Sequence, residues 1–146
     1  MWSLAATVEA DFEDLLAIRI AAMRESLERL GRFDPERARQ RLRANFNPAA
    51  TQKILVDNAV VGFYAINETE LAYSLDHLYI LPSWQGQGIG GAVLTQIKQT
   101  YRGKEIALCA LRGSDANRFY QVHGFTQCSE SEWDIEYVFD GYVPVV

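Results

Sequence analysis

The most informative segment of the chain reads Leu78-Tyr79-Ile80-Leu81-Pro82-Ser83-Trp84-Gln85-Gly86-Gln87-Gly88-Ile89-Gly90-Gly91. An apolar strand ends at a proline, a short polar turn follows, and four of the six residues 86–91 are glycine before an amphipathic helix continues. The first backbone N–H groups of a helix have no partner within the helix, and glycines let an anion approach them closely. The positive end of the helix dipole adds to this attraction. The segment therefore predicts a binding site for a phosphorylated ligand.

Two phosphate-binding motifs compete for these glycines. Gly86, Gly88 and Gly91 fit the dinucleotide pattern G-x-G-x-x-G. That pattern requires its glycines directly after a strand and an acid at the far end of the next strand. Here residues 82–85 separate the strand from the glycines, and Glu105 opens the next apolar run instead of closing it. The dinucleotide interpretation is therefore disfavoured.

A second motif fits these residues better. The spacing Gln85-x-x-Gly88-x-Gly90 resembles the Q/R-x-x-G-x-G/A loop of the GNAT superfamily, the acyl-CoA-dependent N-acetyltransferases. Further along, a run resembles the family's second signature, A-x-x-F-Y-x-x-x-G-F; it reads Ala116-Asn117-Arg118-Phe119-Tyr120-Gln121-Val122-His123-Gly124-Phe125. Two signatures in this order, with a helix and a strand between them, are more specific than either one. Together they cover residues 71–125.

The composition is that of an ordinary globular chain without a basic surplus. The 146 residues are enough for one domain with a substantial core, and 49% of them are hydrophobic and 23% charged. The net charge of −5 argues against a general nucleic-acid-binding protein, and no apolar run is long enough to span a membrane. The N-terminus does not resemble a signal peptide. Cys109 and Cys128 match no metal spacing, which favours reduced thiols in a cytoplasmic protein.

Local patterns predict a series of strands and helices along the chain. Strands are expected over residues 4–8, 53–56, 60–66, 71–81, 105–111, 125–128 and 133–139, and helices over residues 9–30, 35–46, 87–101 and 114–122. Gly31 is expected to end the first helix, Asp34 to cap the second, and Asp57-Asn58 to form a hairpin turn. The resemblance implies the same order in a single α+β domain over residues 1–146. Its three-layer α/β/α arrangement would have a mixed, mostly antiparallel sheet of about six to seven strands with flanking helices.

The resemblance also implies where acetyl-CoA, the acyl donor, binds. In this family two central strands separate near the glycine loop, and the pantetheine amides pair with the freed strand edge. That edge maps onto Leu78, Tyr79 and Ile80. The loop that would hold the pyrophosphate consists of Gln85, Gly86, Gln87, Gly88, Ile89, Gly90 and Gly91. The alternatives are a plain buried strand and an ordinary glycine-rich turn.

Tyr120 maps onto the tyrosine that protonates the leaving sulfur in this family. A phenol with a pKa of about 10 is a reasonable donor to a thiolate whose thiol has a pKa of about 8.5. The alternative is a core aromatic beside Phe119. Family members often carry a cofactor-contacting asparagine where this chain has Gly113, and Asn117 on the helix of Tyr120 is a candidate substitute. An ordinary surface helix residue is the alternative for Asn117.

The general base is the least determined part of the predicted site. A lysine-like amine, with a pKa of about 10.4, must lose a proton at pH 7 before it attacks. Family members often carry a glutamate where this chain has Ser74. Asp76, on the same face of that strand, is the first candidate, with a solvated strand-end acid as the alternative. His77 is the second candidate, although its apolar neighbours favour a hydrogen-bonded core histidine, and a water chain is a further option.

These expectations combine into one predicted function and one alternative. The predicted activity is transfer of an acetyl group from acetyl-CoA to a primary amine of an unidentified small-molecule or protein acceptor. Transfer would be direct within a ternary complex, because neither signature contains a cysteine that could carry the acyl group. The alternative is a non-catalytic sensor or interaction module that binds CoA or acyl-CoA, which Ser74 favours. No metal, nucleic acid or membrane is expected, and the apolar run over residues 142–146 is compatible with a homodimer.

Overall fold

The computed structural model of the protein describes residues 1–144. Its strands are β1 (Trp2–Ala6), β2 (Thr51–Val56), β3 (Ala59–Glu68), β4 (Ala72–Ile80), β5 (Glu105–Leu111), β6 (Thr126–Glu130) and β7 (Asp134–Phe139). Its helices are α1 (Phe12–Arg29), α2 (Pro35–Ala44), α3 (Ile89–Thr100) and α4 (Ala116–Val122), with 3₁₀ turns at Glu9–Asp11, Pro48–Ala50 and Pro82–Trp84. The order of strands and helices is the predicted one.

The seven strands form one mixed sheet in the order β1-β2-β3-β4-β5-β7-β6. β4 and β5 are parallel, whereas the β1–β2, β2–β3, β5–β7 and β6–β7 pairs are antiparallel. The connection from β4 to β5 contains α3, because two parallel strands need a long crossover. The predicted fold class, a mixed and mostly antiparallel sheet with flanking helices, is therefore confirmed.

The chain divides into two compact units, and strands β3 and β4 contribute to both. The first unit comprises Met1–Ala65 and His77–Gly90. Its core joins one face of α1 and α2 to β3, and burial of each large apolar side chain contributes about 2 kcal/mol. The buried residues of this core are Phe12, Leu15, Leu16, Ile18, Ala38, Leu42 and Phe63.

The junction between α1 and α2 follows the predicted pattern. Gly31 has a φ of 68°, and the Arg32 N–H donates to the Leu27 carbonyl oxygen at 2.8 Å, which ends α1. The Asp34 side chain accepts a hydrogen bond from the Glu36 N–H at 3.0 Å, and Pro35 is the first residue of α2. The end of α1 and the start of α2 are therefore both satisfied by local hydrogen bonds.

The second unit comprises residues 66–76 and the chain from residue 91 onward. Along β5 the even-numbered residues Ile106, Leu108 and Ala110 are buried, while the odd-numbered residues between them are exposed. This alternation in burial is the period of two that any strand has, although the sequence itself is an apolar run over residues 106–111. The other large buried side chains of this unit include Val93, Leu94 and Ile97 of α3 and Tyr137 of β7.

Element boundaries differ from the prediction where backbone geometry or pairing intervenes. β1 covers Trp2–Ala6 instead of residues 4–8, because it pairs with β2 from Trp2 opposite Val56. The first helical stretch opens as a 3₁₀ turn before α1 begins. α3 begins at Ile89 instead of residue 87, because Gly88 has a φ of 83°, outside the helical region.

Within residues 1–144, no helix is long and apolar enough to cross a membrane. Val145 and Val146, the end of the apolar C-terminal run, lie outside the described residues. Tyr142, which begins that run, is 71% exposed.

Candidate functional site

The end of β4 is held tightly by β3 in the first unit. The Leu81 N–H donates to the Val61 carbonyl oxygen at 2.8 Å. A Cβ atom placed on Gly62 would lie 2.2 Å from the Tyr79 carbonyl oxygen, so only glycine fits at this approach. Among residues 1–144, the β4–β5 register covers residues 72–74 and 105–107, so it ends at Ser74. Leu78, Tyr79 and Ile80, the predicted pantetheine edge, therefore lie on a part of β4 whose backbone position is fixed from the β3 side.

The loop after β4 is braced by its glutamine. A 3₁₀ turn at Pro82–Trp84 reverses the chain, and the Gln85 side-chain amide then donates to the Ile80 carbonyl oxygen at 2.9 Å. This contact ties the loop to the end of the strand that precedes it. Gln85 thus has a structural task that sequence reasoning, which placed it only against the pyrophosphate, did not foresee.

The glycine segment itself presents bare backbone. Gly86 and Gly88 have φ values of 79° and 83°, and a Cβ atom on either would meet no atom within 4 Å. Their conformation therefore requires glycine while the space beside them is open. In the part of the chain that the structure describes, the N–H groups of residues 86–90 donate no turn or loop hydrogen bond to the backbone. This is the chemistry of an anion site at the start of α3.

Gly91, the last predicted loop residue, has a different role in the second unit. A Cβ atom on Gly91 would lie 2.9 Å from the His123 Nε2 atom. His123 caps the C-terminus of α4, its Nδ1 atom lies 2.9 Å from the Phe119 carbonyl oxygen, and its own carbonyl oxygen accepts from the Lys98 Nζ at 2.8 Å. Gly91 thus permits α3 to pack closely on the end of α4.

Tyr120 of α4 is buried in an aromatic cluster. It is 7% exposed, and its ring packs at 5.3 Å from the ring of Phe119, 5.7 Å from that of Phe125 and 6.4 Å from that of Tyr137. The Phe125 N–H donates to the Tyr120 carbonyl oxygen at 3.0 Å. The cluster fixes the position of the Tyr120 ring. A fixed ring is compatible both with a proton donor and with a core aromatic residue. The predicted role of Tyr120 stays a prediction.

Asn117 braces the second unit. Its side-chain NH₂ group donates to the carbonyl oxygens of Leu111 and Ser114, each at 2.9 Å, and its Oδ1 atom accepts from the Tyr137 hydroxyl at 2.8 Å. The amide is therefore already used between β5, α4 and β7. Its predicted contact with the cofactor stays a prediction.

Asp76 is oriented by two neighbours in the second unit. The Ser74 hydroxyl donates to its Oδ1 atom at 2.5 Å, and the Asn67 side-chain amide donates to its Oδ2 atom at 2.6 Å. A carboxylate has about four lone-pair sites, so each oxygen retains one for a further proton. Ser74 thus supports Asp76 from the position of the family's usual acid. The two residues lie on one strand face, and this spacing is the signal from which the pairing could have been found.

His77, the second base candidate, is a buried histidine of the first unit with polar neighbours. It is 8% exposed, its Nδ1 atom lies 3.4 Å from the Tyr79 hydroxyl, and its Nε2 atom lies 3.3 Å from the Asn45 Oδ1 atom. These contacts agree with the expectation of a hydrogen-bonded core histidine.

Cys109, one of the two free thiols, is poorly suited to carry an acyl group. Although Cys109 is an exposed residue of β5, partial desolvation of its thiol raises the pKa of that thiol, and the nearby carboxylates of Glu136 and Asp134 raise it further. The reactive form of cysteine is the thiolate, so a raised pKa makes Cys109 a weak nucleophile at neutral pH.

The described residues contain no group of three or more histidine, cysteine or acidic side chains that could hold a metal ion.

Comparisons with known proteins identify the family. The sequence model described as "Acetyltransferase (GNAT) domain" matches residues 50–127, more than half of the chain. Together with the fold, this match defines an acyl-CoA-dependent N-acetyltransferase. The chain belongs to the GNAT family. No curated protein matches the sequence.

Several solved structures share the fold at low sequence identity. The PaiA N-acetyltransferase of Thermoplasma acidophilum, solved in complex with coenzyme A, has a TM-score of 0.75 at 16% identity over 96% of this chain and 99% of its own. An acetyltransferase of Thermus thermophilus has a TM-score of 0.77 at 17% identity, covering 96% and 97% of the two chains. The ribosomal-protein-S18-alanine N-acetyltransferase of Escherichia coli has a TM-score of 0.73 at 13% identity, covering 99% and 97%. At these identities the likeness concerns the fold alone.

Proposed function

We propose that the protein transfers the acetyl group of acetyl-CoA directly to a primary amine in a ternary complex. The observation that carries this proposal is the segment of residues 86–90 at the start of α3. Its backbone N–H groups donate no turn or loop hydrogen bond to the backbone of the described residues, and the space beside Gly86 and Gly88 is open. Such a segment suits the pyrophosphate of a CoA ester. The fold relative solved with coenzyme A bound supports the choice of donor.

The donor is held through backbone groups in this proposal. The pyrophosphate lies against residues 86–90. Positions 86 and 88 have a positive φ, and only glycine readily tolerates that backbone conformation. The pantetheine amides pair with the backbone of Leu78, Tyr79 and Ile80 in the manner of an added strand. Hydrogen bonds to β3 and from the Gln85 side-chain amide hold the end of this strand in place. Its backbone is therefore preorganised for binding.

The chemical step forms a C–N bond and breaks a C–S bond. The neutral amine attacks the thioester carbonyl, the thiolate of CoA leaves, and Tyr120 donates a proton to the sulfur. After the attack, the positively charged nitrogen gives one proton to Asp76, so that the products are an N-acetyl amide and the free thiol of CoA. Asp76 then releases that proton to solvent and Tyr120 regains one from solvent, which restores both side chains. Ser74 and Asn67 support the base by holding the Asp76 carboxylate in one orientation. The raised pKa of Cys109 favours this direct route over an acyl-enzyme.

The acceptor is a primary amine of a small molecule or protein. We place the protein in the cytoplasm because its two cysteines are unpaired.

The test is CoA thiol release from acetyl-CoA across a panel of amines, with product identified by mass. We expect one amine class to stimulate release, and Tyr120→Phe to lower turnover by roughly ten- to a thousand-fold with acetyl-CoA binding retained. Tyr142→Phe, at an exposed tyrosine, is the matched control and should leave turnover unchanged. Acetyl-CoA binding without release on any amine would favour the non-catalytic module instead. Unchanged turnover in Tyr120→Phe would remove the assigned acid.

A further inference from the structure

Arg19 occupies a position on α1 where an apolar residue is expected. It follows Phe12, Leu15 and Leu16 at helical spacing, and these residues form the buried stripe of the helix. Arg19 is itself only 6% exposed. A guanidinium remains charged at all ordinary pH values, so its burial is costly unless an anion compensates for the lost hydration.

No such anion belongs to the described chain. None of the ion pairs within residues 1–144 involves Arg19. Its buried Nε atom also has no hydrogen-bond partner among those residues. The arginines of α2 differ in this respect, since Arg39 pairs with Glu13 and Arg43 with Glu9 on the exposed surface. Arg19 is therefore the arginine in the first unit whose burial lacks an explanation from the fold.

The surroundings of Arg19 connect it to the end of β4. The guanidinium carbon lies 5.9 Å from the centroid of the Tyr79 ring. The Tyr79 hydroxyl lies 3.4 Å from His77 Nδ1, and His77 Nε2 lies 3.3 Å from Asn45 Oδ1. Tyr79 thus links the buried guanidinium beside its ring to two polar side chains beyond its hydroxyl, those of His77 and Asn45. The backbone of the same Tyr79 belongs to the strand edge proposed for the pantetheine.

We propose that Arg19 binds the carboxylate of the acceptor, so that the acceptor is an amino acid or another small amine with a carboxylate. The inference rests on the proposed acetyl transfer. A guanidinium matches a carboxylate with two parallel hydrogen bonds, and the orphaned Nε atom is one of the donors that such a pair uses. The phosphates of the donor have a separate place at residues 86–90, which leaves the buried cation for the second substrate.

The experiment compares matched pairs of amines on the whole 146-residue chain at saturating acetyl-CoA. Each pair consists of an acid and its primary amide: glycine and glycinamide, alanine and alaninamide, leucine and leucinamide, and 4-aminobutyrate and its amide. We expect the protein to prefer the acid by about tenfold or more in kcat/KM in at least one pair. Arg19→Gln should lower kcat/KM for that acid by on the order of 30-fold while changing its amide little. Arg19→Lys should retain part of the preference.

Two further measurements make the result decisive. Arg24→Gln, at an exposed arginine of α1 paired with Glu28, should keep the preference for the acid. Calorimetric titration of the N-acetyl acid and the N-acetyl amide into the CoA-bound protein should show tighter binding of the acid, and Arg19→Gln should abolish the difference. Equal binding of acid and amide to the parent protein in every pair overturns the inference, as does an equal loss for both in Arg19→Gln. Failure of acetyl-CoA itself to bind would instead contradict the proposed function.

Discussion

The Asp76 carboxylate on β4 is held by two hydrogen-bond donors, the side chains of Ser74 and Asn67. Ser74 and Asn67 each donate one hydrogen bond to the carboxylate, so its orientation is set before substrate arrives. A positioned base accelerates proton transfer, whereas a carboxylate that only closes a polar network does not touch the amine. The two roles differ in what removal of the charge does to the pH dependence of turnover.

We therefore expect Asp76→Asn to lower kcat by about 100-fold or more and to displace the acid limb of the pH–rate profile. Ser74→Ala should lower kcat by less, on the order of tenfold, because the carboxylate remains but loses one orienting bond. Glu70→Gln, at an exposed acid of the preceding turn, is the control and should leave the profile in place. An acid limb that keeps its position in Asp76→Asn would show that Asp76 is not the base.

A single sequence does not show which atoms the side chains of the site bond to. Gln85 is a predicted ligand contact from the loop motif and Asn117 is a predicted substitute for the family's asparagine, and the structure shows that both amides are bonded to backbone carbonyls. The spacing of Arg19 from Leu15 and Leu16 places a charge on an apolar stripe, which is a sequence signal that none of the predicted site residues uses. Sequence spacing predicts which face a residue occupies, but the partner on that face depends on which elements pack there.

At the scale of elements, the start of α3 depends on glycine for its backbone shape. Gly88→Ala puts a side chain at a φ of 83°, where L residues are strained by about 1–2 kcal/mol, and adds a methyl group beside the bare N–H groups. We expect acetyl-CoA affinity to fall by at least about tenfold, measured by calorimetric titration. Gly103→Ala carries a similar strain at a φ of 101° with open space around it, and should leave affinity unchanged. Equal affinities for the two variants would remove the loop from the proposed donor site.

The end of β4 depends on Gly62 for its position. A Cβ atom there would meet the Tyr79 carbonyl oxygen at 2.2 Å and the Ile80 side chain at 2.9 Å, and backbone cannot move away cheaply. Gly62→Ala should therefore destabilise the fold by about 1–3 kcal/mol in urea unfolding and weaken acetyl-CoA binding in the folded fraction. Gly31→Ala, strained at a φ of 68° but open, should lose stability without losing affinity. Retained affinity in Gly62→Ala would show that the Tyr79 backbone does not contact the donor.

Element order was predictable because hydrophobic period and turn residues act locally. β5 has the predicted limits, since the apolar run that predicts it is uninterrupted from residue 106 to 111 and Glu105 opens it. The hairpin turn falls at Asp57 and Asn58, both with positive φ. β1 begins and ends two residues earlier than predicted, because its limits depend on pairing with β2. The sequence of β1 alone does not show that pairing. The β-bulge between Ile54 and Leu55 in β2, opposite the stretch of β3 that contains Gly62, had no visible sequence signal either.

At the scale of the whole molecule, the two compact units share continuous secondary structure. β3 belongs to the first unit up to Ala65 and to the second from Ile66, and β4 passes from the second to the first after Asp76. If one unit unfolded alone, β3 and β4 would each be interrupted partway along the strand. Backbone groups of the folded unit at the interruption would then lose their hydrogen-bond partners. This continuity favours a single cooperative domain over two independently stable ones.

Calorimetry tests that expectation together with donor binding. We expect one thermal transition with equal calorimetric and van't Hoff enthalpies, of about 100 kcal/mol for a chain of this length. Acetyl-CoA at about a hundred times its Kd adds about 2.7 kcal/mol to the free energy of unfolding. The whole transition should then rise by about 5–10 °C, and Gly88→Ala should rise less at the same concentration. Two transitions, only one of which responds to acetyl-CoA, would mean that the units unfold separately, because ligand binding to one cooperative structure must stabilise all of it.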